Sequence, residues 1–249
     1  MIERYRDLII IYEGDVAYVI SCDSLGAIGN KEGDVLKVSE EVVGRATIKV
    51  ALAEALCVGA RPLVISDTLA VEMKPTGNRI IRAIKKELEE NELTGIVLTG
   101  SSEENFPTSM TGIGITIISR ASLRDLKIKR TKKGMHVSLL GLPLVGEEVL
   151  KNPGKGLQLR DYVKISESEE IVEAIPVGSK GIGYELRVLE ELSGLRLERN
   201  IPCHLDIEKS GGPSTSCILV HEEKHPSIAK IINKPFNYLG RLSKNPSLL

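Results

Sequence analysis

The sequence predicts an α/β (α+β) protein built as two domains. Short apolar, β-branched runs alternate with segments of helical period. That alternation starts afresh after a basic stretch, "RDLKIKRTKKG". The length, 249 residues, suits one large domain or two modest ones. The expected domains are residues 1–125 and 126–249, with the boundary inside 120–134.

Taken in order, residues 8–12 and 16–22 read as strands around the turn "EGD". "SEEVVGRATIKVALAEALCVGA" reads as a helix, with Ser39 able to cap it, acids in its first turn and Gly59 able to stop it. A buried strand follows at residues 63–66. In "PTGNRIIRAIKKELEENEL", Ile80, Ile81, Ile84 and Leu88 form a stripe at helical spacing. "TGIVLTG" and "MTGIGITIISR" are strands. The basic stretch reads as a solvated connection, since it has no interleaved aromatics. "MHVSLLGLPLVGEEVL" opens the second αβ section, and "GIGYELRVLEELSGL" is its best helix. "TSCILVH" is a late strand and "HPSIAKIIN" a short helix, with Pro226 near its first turn. The tail "GRLSKNPSLL" is expected to be loosely held.

Composition narrows the function. Hydrophobic residues make up 42%, enough for a real core, but with 3% aromatics and no Trp the core must be aliphatic. A formal net charge of -1 argues against nucleic-acid binding, which needs a basic field. No apolar run reaches the roughly 20 residues that span a bilayer, and the N-terminus is too acidic for a signal peptide. A cytoplasmic protein without a membrane partner is expected. Cys22, Cys57, Cys203 and Cys217 form no C-x-x-C pair and read as small hydrophobes in apolar surroundings.

Chemistry is suggested by acids at the ends of apolar runs. "VISCDSLGAIGNKEGD" delivers Asp23 and then Gly26, Gly29 and Gly33. Glycines let a backbone approach phosphate, yet a plain turn explains the same residues. Neither a Walker loop nor a Rossmann fingerprint is present there. Glu54, amid "VALAEALCVGA", is either a buried acid needing a partner or an edge-of-stripe residue. Asp67 in "VISDTL" repeats the pattern of Asp23. In "VLTGSSEENFPTSMTG", Glu103 and Glu104 are candidate hard-cation ligands. Gly100, Ser101, Ser102, Thr108 and Thr111 are candidates for phosphate, with a capped surface loop as the alternative. Convergence of these acids on Mg²⁺ and a phosphate substrate is expected. "HEEKH", residues 221–225, matches a zinc-protease pattern but follows a strand and runs into Pro226, so zinc chemistry is rejected.

The ordered set "DSLGAIG", "VGRATIKVALAEALCVGARPL", "ISDTLAVEM" and "TGSSEENFP" resembles a superfamily. It contains aminoimidazole ribonucleotide synthetase, selenophosphate synthetase, thiamine-monophosphate kinase and a hydrogenase-maturation dehydratase. The resemblance covers residues 15–120 well and the rest loosely. It implies two α/β domains, a homodimer formed through the N-terminal sheet, and ATP bound through acids, metal ions and glycine segments. By position it implies Asp23, Glu54, Asp67 and one of Glu103 or Glu104 as Mg²⁺ ligands. Gly26, Gly29, Gly100, Ser101, Ser102 and Thr111 would contact the nucleotide. "GSSEEN" replaces one glycine of the family pattern and displaces its acid, and "VGSKGIGYEL" lacks the acid of the family's helix start. "CDSLGAIGNKEGD", "EMKPTG" and "LTGSSEENFPTSMTG" look most like α-ribazole kinase, which implies a nucleoside-like acceptor. A cyclo-ligase and a non-catalytic nucleotide-binding partner stay open as alternatives.

Overall fold

The N-terminal chain begins with a meander: β1 (Ile2–Tyr5), β2 (Leu8–Glu13) and β3 (Val16–Gly26) pair antiparallel in that order. The computed structural model describes residues 1–244. Period-two burial sets the two faces of β3. Ala17, Val19 and Ser21 are buried, whereas Tyr18, Ile20, Cys22 and Ser24 are not. Short strands β4 (Ile28–Gly29) and β5 (Leu36–Lys37) then pair parallel and fold the following loop onto itself.

Helix α1 (Glu40–Cys57) lies on the buried face, where the Ser21 hydroxyl donates to the Ala51 carbonyl at 2.8 Å. Gly59, at φ +76°, ends it in the left-handed region that favours glycine, as the sequence predicts. Strand β6 (Arg61–Leu69) leads through an irregular turn at Met73–Gly77 into α2 (Asn78–Glu90). Strand β7 (Val97–Ser102) returns parallel to β6, so a helix makes the crossover. Strand β8 (Gly112–Ser122) runs antiparallel between β3 and β6 and completes the order β1-β2-β3-β8-β6-β7. A Cβ at Gly44 would sit 2.7 Å from the Ile80 carbonyl, so the missing side chain is what lets α1 approach α2.

The second unit is one antiparallel sheet with helices. Its elements are β9 (His136–Gly141), α3 (Glu147–Lys151), α4 (Leu159–Glu167), β10 (Ile171–Pro176), α5 (Gly181–Ser193), β11 (Leu195–Arg199), β12 (Ser216–His221), α6 (Ile228–Ile232) and β13 (Phe236–Lys244). The strand order is β10-β12-β9-β13-β11. Ile182, Leu186 and Leu189 of α5 pack with Val137, Leu139, Ile218 and Val220, which lie on one face of the sheet. The first compact unit is Met1–Ala55 with Ala60–Asp125. The second takes Leu56–Gly59 and the chain from Leu126 onward.

Four expectations need correction. β3 does not stop at Asp23 but runs to Gly26, so Asp23 and Gly26 are strand residues, as are Gly100, Ser101 and Ser102 in β7. The basic stretch is pinned rather than solvated along its length. Leu126 is buried, Lys127 Nζ donates to the carbonyls of Ser166 and Ser168, and Glu173 accepts from the Arg130 N–H and the Thr131 hydroxyl. The first half of the tail, residues 240–244, is paired with β11; residues 245–249 lie outside the described residues. Finally, only Cys57 and Cys217 are buried, whereas Cys22 and Cys203 are exposed. Among the described residues, no helix is long and apolar enough to cross a membrane.

Candidate functional site

Register brings two of the acids together. Asp23 on β3 pairs with Ile115 on β8, Ile115 pairs with Asp67 on β6, and Asp67 pairs with Gly100 on β7. Paired residues point to the same face of a sheet. Asp23 and Asp67 therefore share one face near the carboxyl ends of their strands. They are two strand spacings apart, about 10 Å between backbones. It is the face that α1 covers, because Ser21, two residues from Asp23, bonds α1.

These two carboxylates are poorly provided for. Asp67 is 2% exposed, and its Oδ1 has no hydrogen-bond partner. Burial raises its pKa. Burial also raises Asp23, to about 6, against a weaker lowering by the Ser24 backbone N–H. A buried acid without donors is costly, and a cation removes the cost. Gly100 lets the Asp67 carboxylate lie directly against the neighbouring strand, since a Cβ there would come within 2.4 Å of the Asp67 carboxyl carbon. An orphaned carboxylate oxygen, with a second acid on the same row, fits the hard oxygen-donor chemistry of Mg²⁺.

Glu54 sits on the same side but already has a partner. Arg6 Nη2 donates to its Oε2 at 2.8 Å, and the side chains are 5% and 17% exposed. Desolvation raises Glu54, the Arg6 charge opposes this, and the charges of Asp7 and Asp23 add to the rise. Glu54 thus lies close enough to Asp23 to feel its charge while its own is matched by Arg6.

The remaining acids act on the backbone. Glu103 Oε1 accepts from the N–H groups of Asn105 at 2.7 Å and Phe106 at 3.2 Å, and those two bonds hold its pKa low. Glu104 Oε1 accepts from the Met73 N–H and the Ser102 hydroxyl, both at 2.8 Å. Thr111 is buried and spends both its N–H and its hydroxyl on Asp34, each at 2.7 Å. Gly29 is required at that point, because a Cβ would lie 2.2 Å from Thr111 Oγ1. Among the described residues, no three His, Cys, Asp or Glu side chains gather as a ready metal cage. The five expected acids therefore do not converge: two face a common row, one is ion-paired and two brace a loop.

Three residues escaped the sequence reading. Asp34 ties the glycine loop to Thr111 and also accepts from the Lys31 N–H at 2.8 Å. Burial pushes Asp34 up, but the bonds from Thr111 and Lys31 and the charge of Lys37 outweigh it and hold Asp34 low. Lys31 Nζ bonds Glu72 at 2.6 Å and the Thr108 carbonyl at 3.1 Å, stitching this loop to the one after β7. Arg6 lies in the β1–β2 turn, and nothing in its sequence neighbourhood marks it. Asp34 could have been suspected from "KEGD", where an acid closes a glycine turn.

"HEEKH" is not helical. His221 ends β12, is fully buried, and lies 3.0 Å from the Ser138 hydroxyl and 2.6 Å from the Glu223 carbonyl oxygen. His225 is exposed.

Known structures share this architecture. The chain is similar to thiamine monophosphate kinase from Aquifex aeolicus, with a TM-score of 0.67 and 13% identity over 97% of this chain and 90% of that one. It is similar to the AaThiL complex with AMPPCP and TMP, with a TM-score of 0.64 and 13% identity over 96% and 85% of the two chains. The hydrogenase maturation protein HypE in complex with ATP aligns at a TM-score of 0.61 and 13% identity over 92% and 78%. The chain has the fold these proteins share, as the sequence resemblance implies. No protein-family model matches the chain, and no curated protein matches its sequence.

Proposed function

We propose that this protein is an ATP-dependent phosphotransferase, a small-molecule kinase, that works with Mg²⁺. The observation that carries the reading is Asp67: a buried carboxylate with an orphaned oxygen, on one cross-strand row with Asp23. Whole-length likeness to folds crystallised with AMPPCP or ATP supports the nucleotide half.

Asp23 and Asp67 would hold the metal, and Mg²⁺ supplies neutralisation of phosphate charge. Glu54 and Arg6 set the field behind Asp23. The loop after β3, clamped by Asp34 and Lys31, would present its small residues for close approach of phosphate. Transfer breaks the bond from the γ-phosphorus to the bridging oxygen and forms one to an acceptor alcohol, which gives up its proton. Positioning and charge neutralisation supply most of the rate in such reactions.

For the acceptor we propose α-ribazole, on the sequence resemblance alone. For the assembly we propose a homodimer through the first sheet. Ile9, Ile20, Ile118, Val64 and Val97 pair in succession across five strands on the face opposite α1. Ile9, Ile118 and Val97 are 38%, 39% and 62% exposed. A second copy laid on this ribbon by two-fold symmetry would bury it.

Incubation with Mg-ATP and a panel of α-ribazole, thiamine phosphate and formylglycinamidine ribonucleotide, with products read by mass, tests the reading. Phosphate added to α-ribazole is the expected result. Ring closure of the third compound would assign a cyclo-ligase instead. Nucleotide binding without turnover would leave a nucleotide-binding partner.

A further inference from the structure

Two loops meet at the carboxyl ends of β3, β6 and β7. They are tied together by the Gly33 N–H to the Ser109 carbonyl at 2.7 Å, by Lys31 to the Thr108 carbonyl, and by Asp34 to Thr111. Three large apolar side chains stand out from this tied pair: Val35 at 85% exposure, Phe106 at 75% and Met110 at 48%. Met110 lies over Gly33, where a Cβ would come within 2.9 Å of its Cγ.

Phe106 is the unusual one. The chain has two Phe and no Trp, so aromatic rings are scarce. The other, Phe236, packs near His221 with ring centroids 6.4 Å apart. Phe106 faces solvent, yet its backbone is held, because its N–H donates to Glu103 Oε1 on one side and Thr108 is anchored by Lys31 on the other. A ring presented on a fixed loop costs little further ordering when something stacks on it. An exposed, pre-ordered aromatic can serve as a stacking platform, and a flat heteroaromatic ring is what such a face takes.

We propose that Phe106, on the loop pair that also exposes Met110 and Val35, is the platform for the heteroaromatic ring of a ligand whose phosphate end lies toward Asp23 and Asp67. The inference rests on the phosphotransferase reading. Two ligands could bring such a ring, the nucleotide or the acceptor, and the experiment separates them.

The chain lacks Trp, so Phe106→Trp creates a single reporter at the platform. Its emission is followed with Mg-AMPPCP, with each ring-bearing acceptor, and with Mg-tripolyphosphate, which carries the phosphates but no ring. Binding of each probe is measured in parallel by calorimetry in wild type and Phe106→Ala. The expected result is quenching by a ring-bearing ligand and none by tripolyphosphate. That ligand should lose about tenfold to a hundredfold affinity in Phe106→Ala, while tripolyphosphate binds as in wild type. Quenching by AMPPCP assigns the base of the nucleotide, and quenching by an acceptor alone assigns the acceptor ring. If AMPPCP binds wild type but no ring-bearing ligand quenches or weakens, the platform is overturned and the phosphotransferase reading stands. If neither AMPPCP nor tripolyphosphate binds wild type, both fall. Dissociation of a dimer in Phe106→Ala with ligand affinities unchanged also overturns the platform.

Discussion

Two buried carboxylates, one in each unit, are provided for in opposite ways. Glu173 on β10 is 4% exposed and accepts from the Arg130 N–H and, at 2.6 Å, from the Thr131 hydroxyl. Asp67 on β6 is 2% exposed and leaves Oδ1 unbonded. Both are short acids inside sheets, yet one fastens a connecting segment while the other stores an unmet demand for positive charge. Folding alone rewards the first arrangement and penalises the second. The difference separates an acid spent on structure from one with an oxygen left over, which the proposed function assigns to a cation.

The comparison breaks most clearly on substitution. Asp67→Asn keeps the shape and removes the charge. We expect at least a hundredfold loss of Mg-ATP turnover, the scale of losing a metal-facing group. The metal-free protein should melt no lower than wild type, because a desolvated charge has gone. Wild-type turnover in a steady-state assay would remove Asp67 from the site.

Glu173→Gln should do the reverse. One of two buried donors loses its acceptor, costing about 1–3 kcal/mol, read as a lowered midpoint in urea. Binding of Mg-nucleotide should be unchanged. A weakened affinity would deny that the acid is purely structural.

Gly100→Ala sharpens the comparison by disturbing the seat of the Asp67 carboxylate. Its methyl would press on the Asp67 carboxylate. We expect a loss of about 1–3 kcal/mol in stability from overpacking, together with weaker Mg²⁺ dependence of nucleotide binding. A variant that melts lower but binds Mg-nucleotide as wild type would show that the glycine serves packing alone.

The smallest effect concerns pH. Asp23 lies at about 6 in the fold against an ordinary 3.8, so the fold favours its protonated form. In metal-free protein, stability from this group falls as pH rises from about 4 to about 6, and Mg²⁺ at the site restores it. The rise in melting temperature on adding Mg²⁺ should therefore be larger at pH 7.5 than at pH 5, and scanning fluorimetry at the two pH values measures it. An equal rise at both would take Asp23 out of the metal site.

Asp23 and Asp67 stood out in the sequence because each closes an apolar, β-branched run. Their alignment was not, since it depends on the register of β3, β8 and β6, which only tertiary pairing fixes. Glu54 was visible as an acid on an apolar stripe, but its partner Arg6 lies 48 residues earlier in a turn. Glu103 and Glu104 looked like ligands because hard-cation sites and loop caps use the same residues, and local hydrogen bonds decide between them. Helix α2 was clear from its period, whereas α4, "LRDYVKISE", went unread. β11 and β13 were hidden because "LRLER" and "FNYLGRLSK" become strands by pairing with one another.

The central claim is that Asp67 is an orphan awaiting a cation and a phosphate. Calorimetric titration of AMPPCP into wild type and Asp67→Asn, each with and without Mg²⁺ at pH 7.5, tests it most directly. The account predicts that Mg²⁺ tightens AMPPCP binding to wild type at least tenfold and has no such effect on Asp67→Asn. Equal Mg²⁺ dependence in the two proteins would contradict it.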